Sequence, residues 1–531
     1  MTSQKLSRRN MLKATAASAA AAGMVDGLLD PNSAWAQSDR PLRIRTNRTI
    51  TSTDPGYMVG GFEMVLQYAC LARLAKYINS GDSWDWEPSE FVSSLEQVDP
   101  QTISFELKQG IMWYDGTTHE EIGELNAEDV KYSLERMQVS EWKDKAVALD
   151  HVEVTGSHSG IIHMNQPFAP IWLTWLCDGT GTIVSKVAVE AAGGKYDGIF
   201  NFYCGYYRVS EWVQKQSYTL EPNPNWGGSA PGISDVKFII IDEEKTAEIA
   251  FEAGEVDITG IAIDAIPRLL ESPPADAIVK QYSGTQWYWM GMNTDHPNLQ
   301  DIRVRRAIQH AVDVDTVLEG AWNNVGVRAH GIVPPGLVGY REEGKFMTPD
   351  LDAARALIAE AGAEGMTVTL KTINVADRMA AATIIQANLA EIGLNVEVVP
   401  LDAGPFWALG LESEGDEWQR LELWIMSYLD SPDPSQMTQW FISDQVGVWN
   451  WERWSDPEFD ELFAAGLAET DTAKRHDIYV RMQEIMEDTG AYVFLMFPPN
   501  GVMYREGLEP VITPNGYIWQ VAEFEWNDGS A

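Results

Sequence analysis

Residues 351–399 read LDAARALIAEAGAEGMTVTLKTINVADRMAAATIIQANLAEIGLNVEVV, and the hydrophobic period changes several times within them. Apolar residues three and four apart indicate amphipathic helices, whereas short runs rich in β-branched residues indicate strands. The pattern predicts helices over 351–361 and 378–392, and strands over 368–372 and 395–399. Gly393 separates the last helix from the last strand, as a glycine at a helix end does. Alternating helices and strands predict an α/β fold in which helices flank a mixed sheet.

The preceding sequence continues this mixture of elements. Asn126 comes before AEDVKYSLERM, where acidic residues in the first turn are typical of a capped helix. Alternating residues in TISFELK predict a strand over 102–108. Similar patterns predict strands over 43–51 and 236–241, and helices over 62–77, 245–253 and 304–313.

Size and charge limit the class of protein. The chain has 531 residues, too many for one compact core, so we expect two or three lobes. The formal net charge is −40, which would repel nucleic acid and anionic lipid surfaces. We therefore predict no nucleic-acid partner. A generally acidic surface is the simplest interpretation of this charge, while a saline habitat and a cationic ligand remain open.

The first 36 residues have the features of an export signal. SRRNMLK at 7–13 matches a twin-arginine motif, with Met11 where phenylalanine is usual, and an alanine-rich apolar run follows over 14–24. AWA at 34–36 provides a small-residue cleavage site. The apolar run of about 11 residues is too short for a bilayer core that needs about 20. These features predict a cleaved signal peptide over 1–36 and a periplasmic location.

The three cysteines, Cys70, Cys177 and Cys204, are too few and too widely spaced for a disulfide framework. A Cys177–Cys204 bridge and buried free thiols are both compatible with the sequence. No G-x-S-x-G, P-loop, H-E-x-x-H or C-x-x-C motif occurs in the chain.

The closest histidines are His151, His158 and His163, in a segment that is predicted to form a hairpin. Solvent-facing histidines are commoner on a hairpin than metal ligands, and no carboxylate or cysteine lies at zinc spacing. We therefore predict no metal, no cofactor and no enzymatic activity.

Tryptophan is unusually frequent, with 21 Trp against 18 Tyr and 16 Phe. The tryptophans concentrate in two groups, an early one at 84, 86 and 113 and a late one between 407 and 454. An indole offers a large flat face and one donor, which suits peptide side chains, sugars or cations. Core packing is the ordinary role of such residues, and a binding surface in the late group is the alternative.

Several stretches, taken in order, resemble one family. They are TISFELKQGIMWYDGT at 102–117, AEDV at 127–130, AGEVD at 253–257, DIRVRRAI at 301–308, QANLAEIGLNV at 386–396 and WSDPEFD at 454–460. The chain resembles the bacterial extracytoplasmic solute-binding proteins of family 5. These are the dipeptide, oligopeptide and nickel binding proteins of ABC importers.

The resemblance implies a fold like that of type II periplasmic binding proteins. Two lobes are joined by a hinge, and a smaller additional domain lies in the N-terminal part. Mapped by order, the first lobe takes 37–80, 203–285 and 502–531, the additional domain 81–202, and the second lobe 286–501. The family implies a ligand in the cleft between the lobes, which closes around it.

The resemblance also implies a ligand-binding carboxylate. YLDSPDP at 428–434 is similar to a turn that provides peptide binders of the family with an aspartate for the α-ammonium group. Asp430 stands at the matching position, so we predict that it contacts the ligand. The alternative is that Asp430 or Asp433 only fixes a proline-rich turn.

Two departures from the family weaken a simple dipeptide assignment, and they leave a longer peptide or a ligand without the peptide carboxylate as alternatives. Many relatives have a tryptophan about three residues before that aspartate, where this chain has Ser427. Dipeptide binders also resemble one another in an arginine for the peptide carboxylate, where this chain has Thr372. Lys371 and Arg378 are nearby substitutes, although lysine cannot form a bidentate clamp. Arg208 is a further candidate, with a surface salt bridge as its commoner role.

Aromatic residues around this turn complete the predicted site. They are Trp424, Tyr428, Trp440, Trp449 and Trp451. We predict a periplasmic solute-binding component of an ABC importer that captures a peptide or peptide-like solute. The predicted partners are this ligand and an inner-membrane permease, and the predicted state is a monomer. An oligosaccharide, opine or other small solute is the alternative ligand, and an exported hydrolase or a sensor partner is the rival class.

Overall fold

Two large sheets form the framework of the molecule. The computed structural model describes residues 40–58, 60–79 and 83–527. Within these ranges a seven-stranded sheet has the spatial order Tyr207–Val213, Ser217–Pro222, Val236–Ile240, Leu42–Thr46, Ile258–Ile261, Pro499–Arg505 and Ala277–Ser283. A six-stranded sheet of described residues has the order Val327–Arg328, Tyr492–Phe497, Gln286–Met292, Leu423–Leu429, Thr367–Ile373 and Asn395–Leu401.

Both sheets mix parallel and antiparallel pairs. Leu42–Thr46 is parallel to both of its neighbours in the seven-stranded sheet. Thr367–Ile373 is parallel to both of its neighbours in the six-stranded sheet. The other pairings in the two sheets are antiparallel. The mixed sheets with helices confirm the predicted α/β class.

The six-stranded sheet is covered on both faces. Alternation along Gln286–Met292 sends Tyr288 and Met290 into one core and Trp287 and Trp289 into the other, because successive side chains of a strand point to opposite faces.

The α-helices of the described chain are Gly61–Cys70, Ala127–Glu135, Lys186–Ala191, Glu244–Glu252, Ile266–Glu271, Ile302–Ala311, Val314–Trp322, Leu351–Ala361, Ala376–Ala390, Ala403–Trp407, Pro434–Thr438, Pro457–Ala468 and Thr472–Asp488.

Smaller sheets occupy the segment between residues 75 and 203 and the C-terminal part of the described chain. An antiparallel four-stranded sheet has the order Val92–Asp99, Thr102–Leu107, Ser159–Met164 and Leu149–Val154. The remaining strands of the described ranges pair as Phe202–Tyr203 with Met112–Asp115 and Glu121–Glu124, Ala75–Asn79 with Trp84–Pro88, and Leu508–Glu509 with Glu525–Trp526. The predicted hairpin around the histidines is therefore confirmed.

Most of the predicted elements lie within two residues of the observed ones, but two do not. The helix predicted over 62–77 ends at Cys70, and Ala75–Asn79 is a strand that pairs with Trp84–Pro88. Its apolar residues fit either period, and antiparallel pairing with the next segment of the chain decided the outcome. The strand predicted over 43–51 ends at Thr46, where its pairing with Val236–Ile240 ends.

Gly393 has a φ of +86°, a left-handed conformation that favours glycine, just after the helix Ala376–Ala390.

The predicted signal peptide over 1–36 lies outside the described residues. Among the described residues, no helix has the length and apolar character needed to cross a bilayer.

The cap at Asn126 provides a first test of local stability. Its side chain accepts a hydrogen bond from the Glu128 N–H at 2.9 Å, and the Asp129 carboxylate accepts one from the Asn126 N–H at 3.2 Å. We expect Asn126→Ala to lower the free energy of unfolding by about 1 kcal/mol, because it removes an acceptor at the helix start. Asn126→Ser should retain most of the stability. Urea denaturation measures both variants, and an unchanged midpoint for alanine would contradict the role of the cap.

Candidate functional site

A cavity of about 450 Å³ lies where the chain passes between the two large sheets. The first passage, Gly284–Thr285, joins the strand Ala277–Ser283 to the strand Gln286–Met292. The second passage, Pro498, joins the strand Tyr492–Phe497 to the strand Pro499–Arg505. The cavity volume lies within the range of about 300–1,000 Å³ that is usual for small-molecule sites. Its lining consists of Met58, Gly60, Gly61, Met64, Tyr77, Trp84, Trp142, Lys145, Asp178, Thr180, Ile263, Gly284, Thr285, Gln286, Leu429, Asp430, Ser431, Pro432, Trp440, Pro498, Pro499, Asn500, Asn515, Tyr517 and Ile518.

The two passages touch each other at the floor of this cavity. A Cβ added at Gly284 would lie 2.5 Å from the Pro498 carbonyl oxygen, closer than side-chain carbons come to other atoms. Glycine therefore allows the two connecting segments to run side by side. The Asn500 side chain donates to the Asn515 carbonyl at 2.8 Å, which anchors the second passage to the C-terminal segment.

Asp430 brings a carboxylate to the cavity at the end of the strand Leu423–Leu429. Its side chain accepts hydrogen bonds from the Trp440 indole at 2.9 Å and from the Ser431 N–H at 2.8 Å. Burial raises the pKa of the Asp430 carboxyl, and the charge of Lys145 and these hydrogen bonds oppose the rise. The carboxylate is thus held in a fixed orientation in a partly desolvated position.

Asp433 has a structural role in the same turn. Its carboxylate caps the helix Pro434–Thr438 by accepting from the Ser435 N–H at 2.9 Å. It also receives two hydrogen bonds from the Arg475 guanidinium, at 2.9 and 3.0 Å. The two aspartates of this turn therefore differ, because Asp433 is buried against protein partners and Asp430 lines the cavity.

Lys145 lines the cavity but was not among the ligand-binding residues predicted from the sequence. Its ammonium group donates to the Ser431 hydroxyl at 2.5 Å and to the Gln436 side chain at 3.5 Å. It belongs to the short helical turn Lys143–Ala146, far in sequence from the Asp430 turn. No local sequence signal marks it, because only the tertiary fold brings the two segments together.

Four apolar side chains at the cavity are unusually exposed. Leu429 is 64% exposed, Tyr517 51%, Trp142 38% and Ile263 37%. Removing apolar surface from water is favourable and lowers the free energy by about 25 cal/mol per Å² of buried surface. Four separate chain segments thus present apolar surface to one site, which is suited to a ligand with apolar groups.

The predicted aromatic residues differ in their distance from the cavity. Trp440 lines the cavity, and Trp449 and Tyr428 lie behind it, with the Tyr428 hydroxyl donating to the Trp449 carbonyl at 3.1 Å. Trp424 and Trp451 are 0% and 1% exposed and pack in the core beside the six-stranded sheet. Of the five, Trp440 is the one that lines the cavity of the described structure, and ligand contact by the others stays a prediction.

The predicted cations lie away from the cavity lining. Arg378 is buried, donates to the Ser427 hydroxyl at 2.9 Å and lies over the Tyr288 ring. Lys371 is half-buried on the strand Thr367–Ile373, and burial lowers the pKa of its ammonium group. Arg208 forms a salt bridge with Glu221 at 2.9 Å, the commoner role considered for it.

The histidines and cysteines form no site in the described part of the chain. His151 and His163 stack on the hairpin with ring centroids 4.6 Å apart, while His158 lies near Glu124. No group of three or more potential metal ligands occurs among residues 40–58, 60–79 and 83–527. The three cysteines are buried free thiols.

Comparisons with known proteins show the family and the fold of the chain. A family model described as "Bacterial extracellular solute-binding proteins, family 5 Middle" matches residues 89–449. The chain is 26% identical to the probable D,D-dipeptide-binding periplasmic protein DdpA of Escherichia coli, over 83% of this chain and 85% of the relative.

Solved structures show the same fold. The periplasmic binding protein DppA of Helicobacter pylori, in complex with the peptide STSA, matches with a TM-score of 0.71 and 21% identity, over 92% of this chain and 98% of that one. HbpA2 of Haemophilus parasuis matches with a TM-score of 0.79 and 20% identity, over 92% of this chain and 100% of that one. These likenesses confirm the predicted type II periplasmic binding protein fold.

Proposed function

Because the chain belongs to family 5 of the bacterial extracellular solute-binding proteins, we propose that it captures a short peptide or peptide-like solute for an ABC importer. The observation that carries this proposal is the oriented carboxylate of Asp430 in a cavity with apolar walls. A peptide α-ammonium group is a cation of suitable size for that carboxylate, and peptide side chains are suited to the walls. The ligand class is supported by DdpA, a probable D,D-dipeptide-binding protein, and by DppA, whose structure contains the peptide STSA.

The function needs no chemical step by the protein itself. The chain acts in the periplasm as a monomer, binds the solute and delivers it to the permease in the inner membrane. Export follows the twin-arginine route, directed by residues 1–36. The acidic surface excludes nucleic acid as a partner, since a net charge of −40 repels phosphate groups.

Ligand capture uses a hinge. The proposed lobes are 37–80 with 203–285 and 502–531, and 286–501, with the additional domain over 81–202. The strand Pro499–Arg505 belongs to the seven-stranded sheet, so the last boundary moves back to Pro498. The passages at Gly284–Thr285 and at Pro498 connect the two large sheets, so rotation about these short segments opens and closes the cavity. Closure over a ligand removes the exposed Leu429 and Tyr517 side chains from water, which favours the closed state.

A neutral replacement of Asp430 tests the ligand site. We expect Asp430→Asn to weaken the binding of peptides with a free α-amine at least tenfold, because a hydrogen bond to a charged group contributes about 1.5–3 kcal/mol. Asparagine has a single oxygen, which can accept from the Trp440 indole but not also from the Ser431 N–H, so an unchanged melting temperature is the check that the turn keeps its structure. Isothermal titration calorimetry measures the dissociation constants.

The same peptides with an acetylated α-amine are the matched control. They should bind the native protein weakly, and Asp430→Asn should not weaken them further. Equal affinity of native protein and variant for the free-amine peptides would remove Asp430 from the site. A thermal-shift screen that responds only to neutral oligosaccharides would favour the alternative ligand class, with Trp84, Trp142 and Trp440 as the binding surface.

A further inference from the structure

A peptide with free termini also carries a carboxylate, and the cations selected from the sequence do not receive it in the cavity. Arg378 is bound to Ser427, and Arg208 is paired with Glu221. Lys371 is on a strand whose residues are not part of the cavity lining. Thr372, at the position of the family's arginine, is buried and donates to the Ile425 carbonyl at 3.2 Å.

Lys145 is the single cationic side chain in the described lining of the cavity. The two acidic side chains there are Asp178 and Asp430. Asp178 accepts from the Thr180 N–H and hydroxyl at 3.0 and 2.7 Å, so it acts as a local cap. Lys145 and Asp430 are therefore the charged pair that remains for a ligand.

The charge of Lys145 acts on Asp430, but its hydrogen bonds go to neutral groups and leave a donor for an anionic ligand. Its two hydrogen-bond acceptors, the Ser431 hydroxyl and the Gln436 side chain, are neutral. A lysine ammonium has three donors on a flexible stem, so it can add an anionic acceptor without breaking an ion pair. Ser431 also donates its N–H to the Asp430 carboxylate. Ser431 therefore contacts both the Lys145 ammonium group and the Asp430 carboxylate, so the two charges lie close together.

From this geometry, and resting on the proposed function, we propose that Lys145 binds the carboxylate of the ligand while Asp430 binds its ammonium group. The ligand is then a short zwitterion with apolar side chains, whose opposite charges lie close together. The apolar surface of Leu429, Ile263 and Tyr517 encloses the rest of it. A long peptide, with its two charges far apart, satisfies only one of the two residues.

The test compares free carboxylates with amides. Dileucine and trileucine, each as the free acid and as the C-terminal amide, are titrated by calorimetry into the native protein and into Lys145→Met. The native protein should bind at least one free acid ten times or more tightly than its amide, the scale of one charged hydrogen bond. Lys145→Met should bind both forms with about the affinity of the amide, and Lys145→Arg should restore part of the difference.

Lys143→Met is the matched control, because Lys143 is an exposed lysine in the same helical turn. It should keep the native preference for the free acid. The inference is overturned if Lys145→Met keeps that preference, or if the variant binds acid and amide more tightly than the native protein, since Lys145 would then only neutralise Asp430. If the native protein binds none of these peptides, the proposed peptide function fails, and this inference fails with it.

Discussion

Arg475→Met should lower the free energy of unfolding by about 3–5 kcal/mol, because it leaves the Asp433 carboxylate buried without its cation. The two side chains are only 9% and 3% exposed and form two parallel hydrogen bonds, at 2.9 and 3.0 Å. Arg475 also donates to the Gly466 carbonyl at 3.0 Å. Urea denaturation at neutral pH measures the loss.

The same helix provides a matched control for this prediction. Arg481, also on Thr472–Asp488, pairs with Glu458, but the two side chains are 44% and 52% exposed. Arg481→Met should cost at most about 1 kcal/mol, because water screens an exposed pair. A loss below 1 kcal/mol for Arg475→Met, or equal losses for both variants, would contradict the importance of the buried pair.

The buried pair also connects stability to the site. Asp433 is three residues after Asp430, in the turn that carries the ligand-binding carboxylate. The double variant Asp433→Asn/Arg475→Met removes both charges and keeps an oxygen for the cap to Ser435. Its loss should be smaller than the sum of the two single losses, because neither charge is left unpaired.

Glu452→Gln should stabilise the protein at pH 7 by about 3 kcal/mol. Glu452 is 0% exposed, and burial raises the pKa of its carboxyl to about 8 from an ordinary value of 4.5. One oxygen accepts from the Trp289 indole at 2.8 Å, and the Tyr492 hydroxyl also acts on this carboxyl, but burial outweighs both. Each unit of pKa difference between the folded and unfolded states corresponds to about 1.4 kcal/mol. Glutamine has the shape of the protonated side chain without its titration.

The pH dependence fixes the sign of this effect. Below pH 4.5 the Glu452 carboxyl is protonated in both states, so native protein and variant should have similar stability. Between pH 4.5 and about 8 the unfolded chain releases the proton that the folded protein retains, so the native protein loses stability as the pH rises. Above about pH 8 the difference should reach a plateau.

Denaturation of both proteins at several pH values between 4 and 9 measures this difference. Glu364→Gln, at an exposed position, is the control and should change stability by at most about 0.5 kcal/mol. A Glu452→Gln variant that is less stable than the native protein at pH 7 would contradict the prediction. A gain that is constant across this pH range would also contradict it.

Most local elements and the family could be predicted from the sequence, apart from the strand Ala75–Asn79 and the end of the strand Leu42–Thr46. The periods in 351–399 predicted two helices and two strands within two residues of Leu351–Ala361, Thr367–Ile373, Ala376–Ala390 and Asn395–Leu401. Such signals are available in one chain because the helix and strand periods, the caps and the terminal glycines act over a few neighbouring residues. The resemblance to family 5 rested on stretches of the same kind, and the family model confirms it.

The side chains that meet at the cavity could not be predicted from the sequence, because the packing of distant segments brings them together. Trp424 and Trp451 are near the Asp430 turn in sequence but are buried in the core, whereas Lys145 comes from a segment 286 residues before its partner Ser431. The direction in which a strand side chain points depends on which sheet pairs with it and which face is covered. A contact between distant segments depends on the packing of whole sheets and helices, and no local pattern of residues encodes it.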